Sequence, residues 1–106
     1  MTVREILDVI DSTTENKVED ALKIRWIKDV EGRVLCEVLK RSPGELAAVL
    51  SEDDELSVPE AYAGMYMLFV VSMIEFSKRN YDGYAKLCTE FEKAFELYAR
   101  WYIRNS

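Results

Sequence analysis

Histidine is absent from this 106-residue chain, and cysteine, proline and glycine are sparse, at two, two and four residues. Each shortage removes a class of function. Without histidine no side chain titrates near neutrality unaided. General acid–base catalysis would fall to carboxylates, Lys or Tyr, and the Glu-x-x-His pairs of helical di-iron proteins are excluded. Gly32, Gly44, Gly64 and Gly83 fall in no Gly-x-Gly or Walker spacing, so there is no phosphate-cradling loop. No serine sits in a nucleophile elbow, and neither Cys36 nor Cys88 has a histidine to activate it. The two thiols lie in separate helical patterns with no Cys-x-x-Cys spacing. They read as free thiols of an intracellular protein rather than a disulfide or part of a zinc site. The chain is expected to be no enzyme, with no catalytic residue, no cofactor and no metal.

Basic residues are missing from a third of the chain. Residues 42–77 contain no Lys or Arg but hold Glu45, Glu52, Asp53, Asp54, Glu55, Glu60 and Glu75, a local charge of -7 in a chain of net charge -6. An acidic chain without a basic stripe lacks the electrostatic footprint behind non-specific nucleic-acid affinity, so nucleic-acid recognition is not expected. The N-terminus carries no apolar signal core. The longest uncharged run, residues 61–74, is 14 residues, short of the roughly 20 that span a bilayer. Synthesis in the cytosol and no membrane partner follow as expectations.

What is present is helical pattern. Thr2 and Glu5 have capping-box spacing ahead of Val3, Ile6, Leu7 and Ile10, which share one helical face and predict a short first helix to about Ser12. Asn16 and Glu19 offer a second cap, for a helix running to about Lys40 with Leu22, Trp26, Ile27, Val30, Val34 and Val38 as its stripe. Gly32 interrupts that helix, which fits a bend, a close approach or simple tolerance. Ser42-Pro43-Gly44 stops it. An acidic connection over residues 42–57 follows, in which residues 45–50 could add a helical turn and residues 51–57 are expected to be mobile for want of apolar anchors.

Pro59 and Glu60 suit the first turn of a third helix, to about Lys78, whose apolar residues point in almost every direction. The last helix, about Asp82 to Ile103, is the cleanest amphipathic pattern. Tyr84, Leu87, Cys88, Phe91, Ala94, Phe95, Tyr98, Trp101 and Tyr102 share one face, and Asp82, Lys86, Glu92, Lys93, Glu96, Arg100 and Arg104 share the other. The fold predicted is a single all-α domain over residues 1–106, a small bundle of three long helices plus a short N-terminal helix.

Residues 22–39, with Trp26-Ile27-Lys28-Asp29-Val30-Glu31-Gly32-Arg33-Val34 at their centre, and residues 58–105, opening Val58-Pro59-Glu60-Ala61-Tyr62 and closing Tyr98-Ala99-Arg100-Trp101-Tyr102-Ile103-Arg104-Asn105, carry a likeness beyond periodicity. Their order, with a tyrosine-rich helical pair joined at Arg79-Asn80-Tyr81-Asp82-Gly83-Tyr84, resembles the small head-tail connector (adaptor) proteins of tailed phages and prophages of Gram-positive bacteria. The resemblance implies a structural virion subunit that forms a ring beneath the portal and joins it to the tail. Its partners would be copies of itself, the portal protein and a tail-side adaptor. Its location would be the host cytoplasm during assembly and then the head-tail junction of the virion.

Two groups of residues are candidates for that interface. One is the aromatic, basic end Arg100, Trp101, Tyr102 and Arg104, of a composition common in interface anchors, although Trp101 could equally cap the core of the monomer. The other is the acidic cluster Glu52, Asp53, Asp54 and Glu55, which lacks the alternating ligand spacing of a calcium loop. Residue physics by itself supports a helical protein with excess apolar surface. It leaves open a free helical protein–protein adaptor or regulator without catalytic activity, and a small-molecule-binding helical domain or minor enzyme.

Overall fold

The computed structural model describes residues 1–46 and 50–106. The fold is all-α, in four α-helices with no strand among the described residues: α1 (Val3–Thr13), α2 (Asp20–Arg33), α3 (Gly64–Ser77) and α4 (Tyr81–Asn105). Only α4 is long; α2 and α3 have 14 residues each.

α1 opens as its sequence predicts. The Thr2 side chain accepts from the Glu5 N–H, and the Glu5 carboxylate accepts from the Thr2 N–H at 3.0 Å, so each residue satisfies a donor the helix leaves orphaned. The second cap is different. Asn16 bridges the link, its Oδ1 accepting from the Val18 N–H and its Nδ2 donating to the Thr14 carbonyl. The helix starts four residues later, behind Glu19. A short amide side chain competes with the backbone for these bonds and holds a turn instead of a helix start.

α2 does not run to Lys40 as an α-helix. From Val34 to Val38 the chain winds as a π-turn, the Leu39 N–H donating five residues back to the Val34 carbonyl at 3.0 Å. Lys40 then adopts a left-handed backbone (φ 56°), and the Arg41 N–H closes on the Leu35 carbonyl, six residues back. α3 ends with the same cap one residue shorter. Arg79 is left-handed (φ 62°), and the Asn80 N–H closes on the Glu75 carbonyl, five residues back. The end of α2 therefore carries one residue more than an ordinary left-handed cap needs. Gly32 lies just before the π-turn, and a Cβ there would meet only the Leu46 side chain, at 3.4 Å.

The connection begins with a 3-10 turn at Pro43–Glu45, and of the expected turn over residues 45–50, residues 47–49 lie outside the described residues. Its acidic part is held in place, against expectation. The Asp54 and Glu52 carbonyls accept from the Val3 and Arg4 N–H groups at the start of α1, and the Leu56 N–H donates to the Met1 carbonyl. Leu50, Leu56 and Val58 are buried and supply the anchors that the acidic run seemed to lack. A first helical turn has free N–H groups and a positive end, so an acidic segment is a fitting cover for it.

A 3-10 turn at Glu60–Tyr62 behind Pro59 replaces the expected first α-turn of α3. α3 and α4 form an antiparallel hairpin, as five ring contacts along it show: Tyr62 with Tyr98 and Trp101, Phe69 with Phe91, and Phe76 with Tyr81 and Tyr84. Asn80 caps α4, its side chain accepting from the Gly83 N–H. α1 and α2 pack across α3, and the core joins Ile6, Ile10, Ile27, Val34, Met65, Val70, Ile74 and Phe95. Leu22, assigned to the inner stripe of α2, is exposed instead.

Candidate functional site

The last two turns of α4 carry an aromatic ladder. Tyr98 is buried under the ring of Tyr62 at 5.8 Å, Trp101 lies on Tyr62 at 5.3 Å, and Tyr102 stands 6.3 Å from Tyr98. Residues 98, 101 and 102 meet because three- and four-residue spacings fall on one helical face. Burial holds the Tyr98 phenol above its ordinary pKa.

Across from this ladder stand Leu39 and Arg41, brought there by the π-turn and the left-handed Lys40, together with Ser57 and Pro59. The four, with Tyr98, Trp101, Tyr102 and Asn105, line an open groove at the end of the bundle. Trp101 is thus partly core cap and partly groove wall, the two roles its sequence left open. Arg100 is on the outer face, paired with Glu96 at 2.7 Å, and Arg104 is exposed. Leu97 and Ile103, which the sequence pattern did not single out, are the most exposed large apolar residues of this end, at 57% and 72%.

The acidic candidates are elsewhere. Glu52 pairs with Arg4 and Glu55 with the Met1 amino group, and none of Glu52, Asp53, Asp54 and Glu55 lines the groove. The two candidate groups are not one site.

Beside the groove, Arg33 locks the end of α2 to α4. Its guanidinium donates to both oxygens of Glu92 at 2.7 and 3.0 Å and to Glu37 at 2.7 Å, and lies 4.2 Å over the Phe95 ring. Paired in this way, Arg33 is held above its ordinary pKa and Glu92 below its own.

Sequence reasoning missed the buried polar groups. Glu31, 5% exposed, accepts from the Tyr66 hydroxyl at 2.5 Å and from the N–H and hydroxyl of Ser57. Lys23, 2% exposed, donates to Asp11 at 2.5 Å. The signal was available: residues 23, 27, 31 and 34 share spacings of three and four, so both charges stand on the apolar face of α2. A charge in that register calls for a partner. Among the described residues every buried side-chain nitrogen and oxygen has one.

The arrangement can hold an apolar or aromatic side chain of a partner against Trp101 and Tyr102. Cys36 is exposed and Cys88 half-buried, both free. Among the described residues no group of three or more His, Cys, Asp or Glu could hold a metal ion, and no helix is long and apolar enough to cross a membrane. Compared with protein-family models, with curated proteins and with solved structures, the chain has no match.

Proposed function

We propose that this chain is a structural subunit of a phage or prophage head-tail connector. It would assemble side by side into a ring, join the portal protein to a tail-side adaptor and catalyse nothing. It would work in the host cytoplasm during assembly and end in the virion. The reading rests on the likeness of residues 22–39 and 58–105 to that family. The structural feature that supports it most is the end of α4, where Trp101 and Tyr102 wall an open groove on one face and Leu97 and Ile103 are exposed on the others. Exposed large apolar residues together with an open aromatic groove fit a subunit that completes its packing in an assembly.

The test is co-expression with the portal protein encoded beside it, followed by electron microscopy and mass measurement. The reading expects a ring on the portal and a monomeric or weakly associated protein without it. Changing Arg100 and Arg104 together to Glu is expected to abolish portal binding and leave the melting temperature within about two degrees, since both side chains are exposed. Absence of portal, capsid and tail genes around this one, or failure to bind the portal at micromolar concentration, overturns it.

A further inference from the structure

The extra residue at the end of α2 lies next to the groove, and that juxtaposition has a mechanical consequence. A π-turn brings the fifth residue on nearly above the first, so Leu39 stands over Val34 and takes its place in the groove wall. If the same residues wound as an α-helix, Leu39 would lie about 140° around the axis from Val34 and leave the groove. Val38 would move toward the position directly over Val34. The apolar spacing of Val30, Val34 and Val38 suits an α-helix well, so neither winding strips the core. What keeps the π form closed is the left-handed Lys40, a conformation that L-residues with a side chain adopt at a cost and glycine adopts freely.

We infer that residues 34–40 are a register switch that builds and dismantles one wall of the Trp101–Tyr102 groove: the π form places Leu39 in the wall, and an α form with the extra residue passed into the following link withdraws it. Use of the groove by the portal rests on the connector reading; the shift itself does not. The two states exchange a five-residue hydrogen bond at Leu39 for a four-residue one, and residues 34–38 stay hydrogen-bonded in both.

The experiment uses the isolated full chain and three variants. Methyl NMR relaxation dispersion on Leu39 and Val38 reads the exchange, amide exchange reads the protection of residues 34–38, and acrylamide quenching of fluorescence reads Trp101, since Trp26 is buried. Wild type is expected to show exchange at both methyl-bearing residues. Deleting the exposed Cys36 removes the surplus residue, turns the six-residue closure of Arg41 on Leu35 into the five-residue one found at Asn80, and should abolish the exchange with helicity retained. Lys40→Gly should also quiet it, by favouring the left-handed cap, and serves if the deletion does not fold. Lys40→Val should raise the α population and Trp101 quenching, because a β-branched residue takes the left-handed backbone at greater cost than Lys.

Two results overturn the inference. One is no exchange at Leu39 in wild type and no change in Lys40→Val. The other is loss of amide protection across residues 34–38 in Lys40→Val, which marks fraying instead of a change of register. Either can occur with portal binding intact, so the switch and the connector reading fail separately.

Discussion

The Tyr66 hydroxyl meets the Glu31 carboxylate at 2.5 Å in the interior of the bundle, and the same hydroxyl accepts from the Val58 N–H. One phenol thus ties α2, α3 and the end of the acidic connection together. Tyr66→Phe removes both bonds and leaves a buried N–H without its partner, so a loss of about 1–3 kcal/mol is expected in urea unfolding. Burial first, and then the Glu31 charge, holds this phenol far above its ordinary pKa of 10.0. A group raised in the folded state contributes its full stability below its unfolded pKa. Stability should therefore decline above about pH 10, as the unfolded chain's tyrosine ionises, and Tyr66→Phe should flatten that alkaline slope.

Lys23 holds Asp11 below its ordinary pKa of 3.8, chiefly through their hydrogen bond. A depressed carboxyl contributes stability above its unfolded pKa that is lost as pH falls through the folded one. The acid limb of the stability curve, below about pH 4, should therefore steepen with this pair present and soften in Asp11→Asn. Asp11 is partly exposed, so the effect is expected to be small. Lys23→Met is the informative contrast: it removes the pair but fills the same apolar slot, and melting at pH 7 should change by less than about 1.5 kcal/mol. A large loss there would show that the ion pair, not the packing of the stem, holds α1 to α2.

Phe91 and Phe95 are buried on the inner face of α4, and Phe95 also carries the Arg33 guanidinium. Phe91→Asp or Phe95→Asp places an unpaired charge in the core and is expected to unfold the domain. Lys93→Ala, on the exposed face, should stay within about 0.5 kcal/mol of wild type. Circular dichroism melts of the three proteins side by side decide whether the two faces are assigned correctly.

Gly32→Ala is expected to stabilise. The added Cβ meets only the Leu46 side chain at 3.4 Å, and Ala is worth up to about 1 kcal/mol over Gly inside a helix. A higher denaturation midpoint with an unchanged slope is the expected result.

The parts of this fold that the sequence disclosed are those where a local rule acts alone. The Thr2–Glu5 capping box and the two faces of α4 follow from spacings of three and four, and each residue assigned to the outer face of α4 is exposed. The misses have tertiary causes. Asn16 has the chemistry of a helix cap, but its amide closes the Thr14–Val18 link instead. The π-turn adds one residue to a pattern that suits an α-helix, so periodicity cannot register it. Acidic residues 52–55 look like a solvated run because the backbone N–H groups they cover belong to residues about fifty positions earlier. Of the candidate site, Trp101 and Tyr102 were legible from composition, whereas Leu39 and Arg41 join them only through the π-turn and the left-handed Lys40, and Pro59 through the path of the acidic connection.

The seam between α1 and the acidic connection also sets an order of events in folding. α3 and α4 are neighbours in sequence and can zip from the turn at Asn80, whereas the bonds from Val3 and Arg4 to residues 54 and 52 close a loop of about fifty residues. Loop-closure entropy delays such contacts, so the seam is expected to be the last part of the molecule to form and, by reversal, the first to come apart. Its opening uncovers the first turn of α1, where Val3 is fully buried in the folded chain. A newly made chain would pass through a stage in which this end is still unsealed.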